Sequence, residues 1–143
     1  MKIECNGDIV PGYRIGSIEL GMRKADIDYI FSSHTNEFPN YFLYEGGDIR
    51  VWVKKSDNIV SQILAYGNFD GKFMGRFGIG SFISDIEKHL NAFSINKNGV
   101  YIFEGVRGIC FELKDIDEDW DSEVWFKTNA SIEAISVFRE EGE

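Results

Sequence analysis

The sequence predicts an α+β domain of two repeated helix–strand–strand units, with antiparallel β-sheet and two short helices. Three observations carry this expectation. Twelve Phe, six Tyr and three Trp stand against two Pro in 143 residues, a balance that favours pleated segments over a helical bundle. Two short stretches space their apolar residues three and four apart, the period of one buried helix face. The chain also matches itself, in order, along most of its length.

Taken along the chain, the opening "DIVPGYRIGSIEL" reads as an extra strand and loop. A helix is expected at Ala25–Phe31, where Ile27, Ile30 and Phe31 share a face, and a second at Ser84–Leu90, with Ile83, Ile86 and Leu90. Ser81, after Gly80, is placed to accept hydrogen bonds from the free amides at the second helix start. Tyr41–Tyr44 with Ile49–Lys54, and Val100–Phe103 with Ile109–Leu113, are β-rich and partly alternating. The glycines of "EGGD" and "EGVRG" supply the turns between them. Val60–Tyr66 and Ile132–Phe138 close the two units, and "REEGE" reads as a solvated tail.

The self-match sets Leu20–Phe31 over Ile79–Leu90 at an offset of 59, with Gly21 on Gly80 and Asp26–Ile27 on Asp85–Ile86. Ile49, Val51 and Val53 fall on Ile109, Phe111 and Leu113 at offset 60, and Val60–Tyr66 falls on Ile132–Phe138 at offset 72. The expected organisation is one domain, 1–143, with pseudo-repeat units at about 14–70 and 75–140. The jump in offset, from 60 to 72, marks twelve extra residues in the second unit, within 114–129. Where the first unit turns with "KSDN", the second carries "KDIDEDWDSEVWFKTN".

Charge narrows the function classes. With 24 acids against 15 bases the net charge is −9, so neither nucleic acid nor an anionic membrane surface is an expected partner. A basic protein partner suits such a field, although acidity also serves solubility alone. Cys5 and Cys110 form no ligand-spaced pattern, and His34 and His89 occupy unmatched positions without a zinc signature. Gly75, Gly78 and Gly80 precede a helix but lack the lysine of a phosphate loop. No metal, cofactor or catalytic set is expected. The segment before Cys5 has no apolar run and no stretch has the length of a membrane span, so a cytoplasmic location is expected.

The insertion supplies the candidate site: Asp117, Glu118, Asp119, Trp120, Asp121, Glu123 and Trp125 as partner-binding residues. Carboxylates steer and pair with Lys and Arg, while Trp supplies a buried anchor. Trp125 within "SEVWFKT" can instead belong to the core, and Trp120 between two aspartates is the better candidate for exposure. Asp115, Asp117 and Asp119 copy the first ligands of a calcium loop, but Trp120 stands where Gly is needed and Phe126 where Glu is needed. Arg50, Trp52 and Lys54 alternate on one strand face, either solvated or a second contact surface.

"IGSIELGMRKADIDYIFS" resembles the helix start of small bacterial helix–strand–strand modules, among them barrel-assembly lipoproteins and β-lactamase-inhibitor-like proteins. Lacking a lipobox, the chain departs from the lipoproteins. In size, charge, duplicated module and missing catalytic residues it resembles immunity proteins of contact-dependent growth inhibition systems. That resemblance implies a non-enzymatic protein that binds and neutralises a cognate, basic, nuclease-type toxin. A small cytosolic adaptor, or an enzyme inhibitor of another pathway, is the alternative.

Overall fold

A computed structural model of the chain describes residues 7–32, 36–114 and 130–139. Three short strands open it: β1 (Asp8–Val10), β2 (Arg14–Ile15) and β3 (Ile18–Glu19). Helix α1 (Lys24–Phe31) leads into β4 (Asn36–Glu37), β5 (Tyr41–Gly46), β6 (Ile49–Lys54), β7 (Val60–Tyr66) and β8 (Lys72–Phe73). Helix α2 (Ile83–Leu90) leads into β9 (Ser94–Lys97), β10 (Val100–Phe103), β11 (Val106–Leu113) and β12 (Ile132–Phe138).

The strands form two sheets. The small one runs β3-β2-β1-β8, with β8 parallel to β1. The large one runs β4-β5-β6-β7-β12-β11-β10-β9 and is antiparallel throughout. This overturns the expected α+β class of repeated helix–strand–strand units. The protein is β-dominated: the two helices have eight residues each against twelve strands among the described residues. Each helix is followed by at least four strands, not two. Eight helical residues extend only about 12 Å, too little to cover an eight-stranded sheet. The small sheet supplies the missing cover. Its Ile9, Ile15, Ile18 and Phe73 join Ile27 and Ile30 of α1 and Ile83 and Ile86 of α2 in one apolar core.

Register shows how the large sheet meets that core. Tyr44, Val51, Ile63, Val137 and Ile109 form one cross-strand row, and Ile49, Ala65, Ile135, Phe111 and Tyr101 the next. None of the ten is more than 1% exposed. Cross-strand neighbours on one face are the packing unit of a sheet, so these rows are the floor of the core.

The helix starts lack side-chain caps. Ser81 does not serve α2 as expected, because its Oγ accepts the Gly78 N–H at 3.0 Å, outside the helix. Each helix entry is instead tied to a strand. The Gly21 N–H donates to Val60 O and the Val60 N–H to Met22 O; the Gly80 N–H donates to Ile132 O and the Ile132 N–H to Ser81 O.

Candidate functional site on the outer face of the large sheet

Asp117, Glu118, Asp119, Trp120, Asp121, Glu123 and Trp125 all lie outside the described residues, as do Cys5 and His34. The structure does show where their segment leaves and rejoins the fold. The Lys114 N–H donates to Ser131 O at 2.8 Å, just as the Lys54 N–H donates to Ile59 O at 3.0 Å. Ser131 bridges to Phe82 and Ile59 to Arg23, both antiparallel. The two hairpins therefore share one closing bond and one flanking bridge, while the short one adds an Asn58 N–H to Lys54 O bond. The first closing pair encloses four residues, 55–58, and the second sixteen, 115–130.

The face of the large sheet opposite the core carries its own rows. Leu43, Trp52, Gln62 and Phe138 align across β5, β6, β7 and β12, and Glu45, Arg50, Leu64, Ser136 and Cys110 align beside them. Leu64, Cys110 and Ala134 are buried yet stand outside the core cluster. Arg50, Trp52 and Lys54 do share this face, each more exposed than the intervening Val51 and Val53.

At one end of the face lies an open cleft of about 580 Å³. Leu64, Tyr66 and Ala134 supply its apolar lining, Arg50, Glu112 and Glu133 its charge, and Lys114 and Ser131, the closing pair of the long hairpin, part of its rim. Glu133 stands at a register shift between β11 and β12, and such a bulge re-aims a side chain from the strand. Glu112 and Glu133 make no ion pair among the described residues.

Arg50 is not a free cation. Its Nε donates to Glu45 Oε2 at 2.7 Å, the Tyr66 hydroxyl donates to the same oxygen at 2.6 Å, and the guanidinium lies over the Tyr66 ring at 5.0 Å. The Tyr66 hydroxyl and the Arg50 charge together hold the Glu45 carboxyl below its usual range. Burial, reinforced by Glu45, pushes Tyr66 up to about 12, so it stays neutral and acts as a fixed donor. Burial likewise pushes the Cys110 thiol up to about 11, with Glu112 adding to it. A thiol in that condition is not an activated nucleophile.

No protein-family model matches the chain, and no curated protein matches it. Among solved structures, a cysteine-rich secretory protein from Staphylococcus aureus is similar, with a TM-score of 0.52 and 10% identity. The match covers 92% of this chain and 47% of that one, so the chain spans about half the length of that structure. At such identity the likeness is one of fold.

Sequence reasoning missed the cleft. Its strand residues come from β6, β7, β11 and β12, with Gly67, Ile79 and Gly80 from loops, and the β7–β12 pairing brings the two halves of the chain together there. A local signal existed in part: "VSQILAY" places Leu64 and Tyr66 on the same strand face as Gln62. Among the described residues no three His, Cys, Asp or Glu side chains are grouped to hold a metal ion, and no helix is long and apolar enough to cross a membrane. The arrangement offers apolar contact flanked by fixed charge, which is binding chemistry.

Proposed function

We propose that this protein is a non-enzymatic immunity protein that binds and neutralises a cognate bacterial toxin, basic and nuclease-type, in the cytoplasm. One observation carries the reading. Two hairpins that share one closing bond and one flanking bridge differ in content, one turning in four residues and the other spending sixteen. Closing the hairpin does not require the extra residues, and their six acids and two tryptophans suit a basic protein surface. Trp120 and Trp125 act as anchors, and Asp117, Glu118, Asp119, Asp121 and Glu123 as steering and pairing groups. A nuclease surface is basic because its substrate is a polyanion, and an acidic inhibitor competes for that surface or seals one beside it.

The test replaces residues 115–130 by the four-residue turn of the first hairpin and measures binding to the product of the adjacent toxin gene. Loss of binding with retained folding supports the assignment, and unchanged affinity removes it. In the full chain, Trp120→Ala is expected to weaken binding by about 2 kcal/mol or more. Neutralising single carboxylates should mainly slow association and flatten its salt dependence.

A further inference from the structure

The two halves of the large sheet meet in a register that repeats about the Leu64–Ser136 pair: Tyr66 faces Ala134 on one side of it, and Gln62 faces Phe138 on the other. The β6–β7 and β11–β12 hairpins continue this correspondence. Each carries a register shift at the same place, after Trp52 in one and after Glu112 in the other. Position by position, the short hairpin is therefore a reference for the long one. Trp52, Ser61 and Gln62 correspond to Glu112, Glu133 and Ala134. An indole and two neutral polar side chains give way to two carboxylates and a methyl group, and all three replacements line the cleft of about 580 Å³.

The exchange leaves carboxylates without a partner. Arg50 is already held by Glu45 at 2.7 Å, so Lys114 is the remaining cation of the cleft, and neither it nor Glu112 nor Glu133 forms an ion pair among the described residues. Glu112 is only partly in water, where a carboxylate gains most from an incoming donor. Beside it lie the buried Leu64 and Ala134, an apolar wall. We infer that this cleft receives an arginine side chain presented by the protein partner, its guanidinium paired with Glu112 and Glu133 and its methylenes along Leu64 and Ala134. Arginine suits the site better than lysine. Its planar fork makes paired bonds to carboxylate oxygens, its charge is more weakly hydrated, and its stem covers apolar surface. Position agrees with this occupant, because Lys114 and Ser131, which close the long hairpin, are also on the cleft rim. An arginine seated there lies at the base of the segment assigned to a basic protein surface. That the toxin presents it rests on the toxin reading; the chemistry of the cleft does not.

The full chain, labelled with nitrogen-15, is titrated with n-butylguanidinium and separately with n-butylammonium at constant ionic strength. Butylguanidinium should shift the amide signals of Leu64, Glu112, Glu133 and Ala134 saturably at millimolar concentration, and butylammonium should bind at least about threefold more weakly. Glu112→Gln and Glu133→Gln should each weaken guanidinium binding about threefold, the range for partly exposed ion pairs, and together about tenfold. Glu112→Trp, which copies the short hairpin, should abolish it; if that variant does not fold, the two glutamine variants, which keep the side-chain size, carry the test. Asp85→Asn, on α2 and outside the cleft, should change nothing. Absence of saturable shifts at the cleft overturns the inference, as does binding unaltered by both glutamine substitutions, or ammonium binding as tight as guanidinium. The two readings fail separately. If the toxin does not bind the parent chain while butylguanidinium does, the toxin reading falls and the cleft assignment stands. If the toxin binds the parent and the double glutamine variant equally, the cleft assignment falls and the toxin reading stands.

Discussion

Gly99 and Gly108 hold nearly the same backbone angle, φ +89 and +82, in different company. A Cβ at Gly99 meets nothing within 4 Å, whereas one at Gly108 falls 2.6 Å from the Gly12 backbone. There the Gly12 N–H donates to Gly108 O, tying the loop after β1 to the large sheet. Gly99→Ala should therefore cost about 1 kcal/mol, the penalty of a left-handed L-residue alone. Gly108→Ala should cost roughly 1–3 kcal/mol beyond that, because backbone must move to admit a methyl group. Urea unfolding of the two variants gives the comparison. Glu45 makes a second prediction at this scale. Its carboxyl is depressed in the folded state, so its contribution to stability is full above the ordinary carboxylate pKa and fades as pH falls through the lowered folded value. Because Glu45 and Arg50 side chains are 32% and 44% exposed, Glu45→Gln should cost only about 0.5–1 kcal/mol at neutral pH. The gap between variant and parent should close under acid, as thermal melts across pH would show. The Arg50–Trp52–Lys54 face was legible at this scale because alternation within one strand is local. The Glu45–Arg50–Tyr66 cluster was not, since it joins three strands.

Strands β6, β7 and β12 were legible because each alternates or runs apolar for six or seven residues. The two helices were legible from their buried isoleucines. The strands that tipped the fold class were not. β2, β3, β4 and β8 have two residues each, too few to show a period. β9, "SINK", is polar and largely exposed, but Asn98–Gly99 after it, both at positive φ, is a hairpin signal present in the sequence. As the far edge of the sheet, β9 offers unpaired backbone to any passing strand. Glu87 of α2 blunts this, since its Oε2 accepts both the Ser94 N–H at 2.8 Å and the Ser94 hydroxyl at 2.9 Å. Glu87→Ala should lower stability by about 1.5–3 kcal/mol, the range for hydrogen bonds to a charged acceptor. It should also raise light scattering on mild heating, and Glu87→Gln should recover part of both.

At the scale of the whole molecule, the long hairpin is closed by the Lys114 N–H to Ser131 O bond, the counterpart of Lys54 N–H to Ile59 O in the short one. Going from sixteen enclosed residues to four relieves loop-closure entropy of about 1 kcal/mol. The shortened protein should unfold at equal or slightly higher denaturant concentration. A marked drop would show that residues 115–130 contribute to the fold itself. The acidic tryptophan segment is expected as an insertion because the two halves of the sequence fall out of step there, and it lies outside the described residues. Nothing local could reveal the outer face as a continuous surface, because it exists only once Val60–Tyr66 pairs with a strand about seventy residues later.

That pairing sets an order of events during synthesis. The strand joining the two halves of the large sheet, Ile132–Phe138, leaves the ribosome after every other described strand, yet it occupies a central position. A nascent chain can close its early hairpins but cannot unite them, and both flanking strands wait with open edges until Ile132–Phe138 has emerged. Stalling or termination before Ile132–Phe138 has emerged should therefore yield chains that bind chaperones or aggregate, rather than a partly active protein.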